Sequence, residues 1–379
     1  MIYLDNNATT PIAPQVFDAM KPFLDTSFGN PSSAHSKGGE ARKAVERAHE
    51  QVAELIGASD ASEVVFTSCG TESDNWALLG ALEMTARRHI VTTRVEHEAV
   101  RKLCEKLARS GYEVTWLDVD VDGSLDLEAL GAALRPETAV VSVMLANNET
   151  GILFPVDEIG KIVRANSDAI FHVDGVNAVG KVPVDLKTTE IDLFSISGHK
   201  FHAPKGVGAL YIRKGVDLPS HQIGGGQERG RRAGTEAVHQ LVAIGAAADL
   251  VSDMQPMKRV GELRDRLENE ILKKIPNSRL NGSALSDVRL PNTSSISFEN
   301  TNGEMILSRL DDEGICVSTG SACNAIDHRA SAVLEAMDIP YSWAMGSIRF
   351  SLGRSNTDEE VDRVFELLPS IISDLRRTT

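Results

Sequence analysis

The sequence predicts an α/β protein, with a large domain built on a mostly parallel sheet and a smaller α+β domain after it. Three observations predict this. Up to about residue 212, short apolar runs alternate with stretches whose apolar residues recur at helical spacing. The runs are apolar throughout rather than alternating with polar residues, the pattern of strands buried on both faces. Nearly every candidate polar group falls where such a strand ends, and ligands of these sheets bind outside the carboxyl ends of the strands.

Taken in order, the first forty residues are loop-rich, with Asp5-Asn6-Asn7-Ala8-Thr9-Thr10-Pro11 and Phe28-Gly29-Asn30-Pro31-Ser32-Ser33. Small polar residues and prolines there predict an extended segment packed across something else. A helix follows, with Ala41, Ala44, Val45, Ala48, Val52 and Leu55 at helical spacing. Strands are expected over 64–66, 90–92, 114–119, 139–144, 169–173, 191–196 and 209–212. Between them come a helix from Glu72, one carrying Val100, Leu103, Leu107 and Ala108 and stopped by Gly111, and helices over 127–134 and 159–165.

After Gly224-Gly225-Gly226-Gln227-Glu228-Arg229-Gly230 the pattern changes. A helix-rich stretch over 240–275 leads to strands over 294–298, 315–318 and 347–351, with helices over 304–310 and 330–337. Thr357 and Glu360 form a capping box ahead of a last helix over 361–375. The expected division is a large domain of residues 15–255 and a small one made of 1–14 and 256–379. No repeat or low-complexity tract is visible.

Composition narrows the function classes. A chain of 379 residues is long enough for two domains with a large core. Acidic residues outnumber basic ones 54 to 39, a formal charge of −15 that argues against direct nucleic-acid binding or anionic membranes. No apolar run is long enough to span a bilayer, and Met1-Ile2-Tyr3-Leu4-Asp5 is no signal peptide, so a cytoplasmic protein is expected. Cys69, Cys104, Cys316 and Cys323 are too sparse to staple the chain and fit free thiols in a reducing compartment. None has metal-ligand spacing, and no metal is expected.

Four features converge on one chemistry. Ser195-Ile196-Ser197-Gly198-His199-Lys200 sets a lysine just past a buried strand, where desolvation lowers its pKa and frees the amine for Schiff-base formation. Phe171-His172-Val173-Asp174 ends a strand on a carboxylate able to keep a heteroaromatic nitrogen protonated, though a metal or a turn would also accept it. Glu96-His97-Glu98 places an imidazole where a strand gives way to a helix; it could lie against a flat ring, shuttle protons or simply start the helix. Thr67-Ser68-Cys69-Gly70-Thr71-Glu72-Ser73 joins a strand to a helix and offers free amides and hydroxyls to a phosphate, or plain capping. Together these are the needs of pyridoxal 5′-phosphate.

From end to end the chain resembles the cysteine desulfurases of the NifS/IscS type. The resemblance rests on Tyr3-Leu4-Asp5-Asn6-Asn7-Ala8-Thr9-Thr10-Pro11, Gly29-Asn30-Pro31-Ser32-Ser33, the Thr67–Ser73 turn, Glu96-His97 and Asn147-Asn148-Glu149-Thr150-Gly151. It continues through His172-Val173-Asp174, Ser197-Gly198-His199-Lys200, Pro204-Lys205-Gly206, the segment from Gly224 to Thr235, Gly320-Ser321-Ala322-Cys323 and Ile348-Arg349. It implies an aspartate-aminotransferase-like fold (fold type I of the pyridoxal-phosphate enzymes) with a seven-stranded, mostly parallel sheet. It also implies that Lys200 holds the cofactor and shuttles protons, Asp174 pairs with the ring nitrogen and His97 stacks on the ring. Gly70, Thr71, Ser197 and His199 would hold the phosphate, with Thr235 contributed across a homodimer interface. Asn148 and Arg349 would hold the carboxylate of L-cysteine, the planar guanidinium gripping it bidentately; a salt bridge to a structural acid is the plainer role for Arg349.

Cys323 carries the reaction-specific expectation. It lies in Ser318-Thr319-Gly320-Ser321-Ala322-Cys323-Asn324-Ala325, a run of small residues between a strand and a helix, where a thiol is expected to be exposed and mobile. The other three cysteines read as small buried hydrophobes. By the resemblance, Cys323 takes sulfur from L-cysteine as a persulfide, leaves L-alanine, and passes the sulfur to an acceptor protein in iron–sulfur assembly, RNA thiolation or DNA sulfur modification. An aminotransferase of the same fold has no use for Cys323, and the loop around it does not match selenocysteine lyases. A non-catalytic scaffold would be expected to lose Lys200, Cys323 or Arg349, and all three remain. The chain departs from the family pattern at Asn177, where a Gln usually reaches the cofactor's ring oxygen; Asn is one methylene shorter, so that bond would be lost or carried by water. Ala237 replaces a usual Asn, and Ala330-Ser331-Ala332 stands where many members have Pro-Ser-His. These two changes bear on loop conformation and docking more than on chemistry.

Overall fold

The computed structural model describes residues 1–319 and 330–378. Its strands are β1 (Ile2–Tyr3), β2 (Val64–Thr67), β3 (His89–Thr93), β4 (Glu113–Leu117), β5 (Thr138–Met144), β6 (Ile170–Asp174), β7 (Leu193–Ser197), β8 (Gly208–Ile212), β9 (Ser278–Leu280), β10 (Thr293–Phe298), β11 (Ile315–Cys316) and β12 (Ser347–Ser351). Seven form one sheet in the order β2-β8-β7-β6-β5-β3-β4. Its neighbours pair in parallel except at β8, which runs antiparallel to both β2 and β7.

The continuous apolar runs have the expected cause. Alternate residues of one strand face two different cores: Val64 and Phe66 pack with Ala41, Val45 and Ala48 of the helix Ser36–Leu55, while Val65 packs with Trp76, Ala77 and Leu78 of the helix Gly70–Thr85. Both faces are covered, so both sets of side chains must be apolar.

A third core holds the C-terminal region together. Leu4 packs there with Leu263, Leu267, Ile296, Phe298, Ile348, Phe350 and Val364. The antiparallel sheet β12-β10-β9 lies against the helix Gln255–Lys274, which packs in turn against the helix Asp358–Thr378. The reciprocal bonds of the capping box are present: Thr357 N donates to Glu360 Oε2 at 3.2 Å, and Glu360 N to Thr357 Oγ1 at 3.4 Å.

Several local expectations differ from the structure. The opening segment contains two short helices, Pro14–Met20 and Pro22–Asp25, each begun by a proline whose fixed φ suits a first helical turn. The stretch over 240–275 is two helices, Val238–Ser252 and Gln255–Lys274, broken at Asp253 and Met254. The strand expected over 315–318 is only the two residues of β11, and β1 and β9 carry too few residues for any periodicity to show. β1 exists because it pairs with β11, a contact between the start of the chain and its C-terminal region.

Candidate active site

The carboxyl ends of β5, β6 and β7 open on a cavity of about 280 Å³, closed on one side by the start of the helix Gly70–Thr85. Register explains the gathering. In β6 and its neighbours Asp174 stands opposite Met144 of β5 and Ser195 of β7, so the residues that follow these strands emerge side by side. Lys200 follows β7 on a single 3-10 turn, Gly198–Lys200.

Lys200, Asp174, His97, Asn148, Asn177, Ser197, His199, Gly70 and Thr71 all line this cavity. Lys200 Nζ donates to the main-chain oxygen of Asn7 and, at 3.1 Å, to that of Ala8. Burial, assisted by the charge of Arg349, brings its pKa down to about 8, against the opposing pull of Asp174 and Asp5. The opening segment predicted to pack across something else packs across this lysine.

A carboxylate oxygen of Asp174, one of Asp74 and a ring nitrogen of His97 all lie within 4.8 Å of one another. Burial raises the Asp174 pKa, opposed by His97, by the Val176 N–H that donates to Asp174 Oδ1 at 2.9 Å, and by Lys200. His97 is both the helix-start residue and a cavity residue. Its Nδ1 accepts from Ala99 N at 3.1 Å at the head of the helix Glu98–Arg109, which leaves Nε2 to carry the proton of the neutral ring. Burial and the Lys200 charge lower the pKa of His97, with Asp174 pulling the other way. Burial pushes His199 down to about 4, so it faces the cavity neutral, with Nδ1 3.1 Å from Thr9 Oγ1.

A second cavity of about 200 Å³ adjoins the first, sharing His97, Asn148, Lys200 and Ala8 with it. Arg349 lines it. Its guanidinium donates through Nη2 to Asp5 Oδ1 at 2.7 Å and through Nη1 to the Asn148 main-chain oxygen at 2.9 Å. The structural salt bridge is therefore real, and it orients the fork. Ser318 and Ser331, which flank Cys323 in the chain, line the same cavity. Cys323 itself lies outside the described residues. Thr235 is not brought to the site: it is exposed beside a separate cavity of about 220 Å³ that Thr67 and Ser68 also line.

Residues 2–364 match the family described as Aminotransferase class-V. A protein of Trichormus azollae named cysteine desulfurase is 53% identical over 379 residues, covering 99% of this chain and 94% of that one. Cysteine desulfurase NifS of Azotobacter vinelandii is 48% identical over 381 residues, covering 100% and 94%. A solved structure described as a NifS-like protein superposes with a TM-score of 0.92 at 38% identity, covering 99% of this chain and 100% of that one. The chain belongs to the cysteine desulfurase family. The class-V aminotransferases and the cysteine desulfurases among them depend on pyridoxal phosphate, and the fold is the fold-type-I architecture of that group.

The cysteine desulfurase cavity fits that cofactor on observations of its own. Ser197 Oγ and Asn177 Nδ2 are buried polar atoms without a hydrogen-bond partner, in the wall of the cavity. The helix Gly70–Thr85 starts without any side-chain cap, leaving its first amides free. A Cβ on Gly70 would lie 2.6 Å from Val176 Cγ2, so only glycine lets that helix start come so close to the cavity wall.

Reasoning from the sequence overlooked Asp5, Asn7, Asp74, Glu149 and Lys181. Asp5, Asn7 and Glu149 stand inside quoted motifs, but nothing in their spacing says what they touch. Asp74 is buried, its Oδ1 3.6 Å from His172 Nε2 and without a hydrogen bond. His172, held by Ser142 and Ser195 and pushed by burial down to about 3, stays neutral. Glu149 accepts from the Ser331 hydroxyl, and burial raises its pKa to about 7.

Proposed function

We propose that this protein converts L-cysteine to L-alanine and leaves the sulfur as a persulfide on Cys323, from which an acceptor protein takes it. The observation that carries the reading is the convergence of Lys200, Asp174 and His97 on one cavity, with Arg349 on the adjoining one. It gains weight from a chain about half identical to proteins named cysteine desulfurase.

Bound pyridoxal phosphate supplies an electron sink for the pair left when the substrate's Cα loses its proton. Lys200, with a pKa of about 8, is suited both to hold the cofactor's aldehyde carbon and to take that proton and return it. Asp174 holds the ring nitrogen protonated, and the Gly70–Thr71 amides with Ser197 and His199 take the phosphate. Arg349, oriented by Asp5, binds the substrate carboxylate beside Asn148. The Cys323 thiolate attacks the substrate sulfur: an S–S bond forms, the C–S bond breaks, and its electron pair goes to the substrate carbon, which takes up a proton.

The proposed division, residues 15–255 against 1–14 and 256–379, would bring Lys200 and Cys323 from different domains; the packing of Leu4 with Leu263 and Ile348 supports it. A homodimer would bring Thr235 of one copy toward the phosphate of the other, consistent with its exposure. The sparse cysteines favour the cytoplasm, and no helix among the described residues is long and apolar enough to cross a membrane.

Purified protein given cofactor, L-cysteine and a reductant should release alanine and sulfide in equal amounts. Cys323→Ser should keep the absorbance change on adding L-cysteine and form no persulfide. Alanine production undiminished by Cys323→Ser would reject Cys323 as nucleophile.

A further inference from the structure

Lys181, in the turn after β6, is a lysine buried without an acid. It is 7% exposed, and no carboxylate among the described residues pairs with it. Burial and the positive charges of Lys200 and Arg349 hold its pKa well below the usual lysine range. Its charge in turn presses on His199 and His202. A buried amine with no counter-ion costs stability that a methionine of similar volume would not.

Both of its hydrogen bonds go to one residue. Nζ donates to the Asn177 main-chain oxygen at 2.9 Å and to Asn177 Oδ1 at 2.8 Å. As ammonium or as amine, Lys181 has a hydrogen for each oxygen. The oxygen end of the Asn177 amide is thereby occupied. The Nδ2 end is buried, has no partner and belongs to the wall of the cavity shared by Lys200 and Asp174.

We propose that Lys181 is a positioning residue that holds the Asn177 amide so that its NH₂, and not its oxygen, is offered to the ring oxygen of the cofactor. The inference rests on the function proposed above and deepens it. An unrestrained amide would offer either end, and the oxygen end repels an anionic ring oxygen. The clamp thus bears on the departure at position 177, where the side chain is one methylene shorter than the family's usual glutamine.

The test uses cofactor-loaded Asn177→Ala, Lys181→Met, Lys181→Gln and the Asn177→Ala/Lys181→Met double variant. The reading is the pH midpoint at which the bound cofactor's visible absorbance changes. A donor to the ring oxygen favours its ionised form, so losing that donor raises the midpoint. Asn177→Ala and Lys181→Met should raise it by similar amounts, about half a pH unit or more. The double variant should shift no further than Asn177→Ala alone, and Lys181→Gln, which keeps a donor, should fall between wild type and Lys181→Met. An unshifted midpoint in Lys181→Met overturns the proposal, as does a double variant shifted by the sum of the singles, which would mean that Lys181 acts by charge alone. Should Lys181→Met not fold, Lys181→Gln with its own Asn177→Ala partner carries the same comparison. A protein that takes up no coloured cofactor overturns the proposed function itself, and this inference with it.

Discussion

Lys200 is the residue whose environment can be read most directly as chemistry. Buried beside Arg349, it reaches its neutral form near pH 8, where an unfolded lysine is still charged up to about 10.5. The sign follows from proton counting. Between these values the unfolded chain binds a proton that the folded chain has released, so this group makes stability rise with pH across that window. Lys200→Met should therefore stabilise the cofactor-free protein below pH 8, by on the order of 1–3 kcal/mol. The gain should shrink as pH rises toward 10.5, as urea titrations at several pH values would show. In the loaded enzyme Lys200→Ala should lower alanine formation by about 10³-fold or more, since the group that takes and returns the proton is gone.

Glu149 shows the opposite sign. Its folded pKa of about 7 lies above the ordinary 4.5, so between those values the folded chain keeps a proton that the unfolded chain has lost, and stability falls as pH rises. Glu149→Gln keeps an oxygen for the Ser331 hydroxyl and cannot ionise. Its stability relative to wild type should be near equal at pH 4 and should grow to about 1–3 kcal/mol by pH 7.

Among the elements, the start of the helix Gly70–Thr85 matters most to the site. Its N-terminus must approach β6 and β7 closely enough for free amides to border the cavity, and Gly70 makes that approach possible. Gly70→Ala would force Val176 aside, since the new methyl lies 2.6 Å from its Cγ2 and 3.4 Å from Ser197 Cβ. The expected result is a loss of about 1–3 kcal/mol in stability and a cofactor dissociation constant raised about tenfold or more, measured by fluorescence titration. The strand-to-helix turn was legible in Thr67-Ser68-Cys69-Gly70-Thr71; the need for glycine was not, because it depends on Val176, a residue from another strand's end. The strands β2, β3 and β5 to β8 were legible for a reason the cores make plain. They are buried along their whole length, so apolar residues fill most positions on both faces, whereas the edge strand β4 is exposed at its start. β1 and β9 were not, being too short to show a period, and the two proline-started helices were hidden among turn-forming residues.

Across the whole molecule, Asn7 ties the chain's beginning to four distant segments, its main-chain N–H donating to Ser351 Oγ at 2.9 Å. Its Nδ2 donates to Thr293 Oγ1 at 2.8 Å and to the Asn148 main-chain oxygen at 3.2 Å, its Oδ1 accepts from Asn292 Nδ2 at 3.0 Å, and its main-chain oxygen receives Lys200. Asn7→Ala would leave buried polar groups of those segments unpaired, at an expected cost of about 2–5 kcal/mol in urea unfolding, together with lower kcat/KM as the support of Lys200 loosens.

From the residues alone came the parallel sheet, the lysine, aspartate and histidine at strand ends, and the family the motifs resemble. These follow from local rules, since burial on two faces and the chemistry of a cofactor site both select residue types that a single chain displays openly. Tertiary structure alone decided that Asp5 holds Arg349 and that Asn7 and Ala8 receive Lys200. Strand order and the meeting of the chain's start with its C-terminal region set those contacts, and distance in space between residues far apart in sequence leaves no periodic trace.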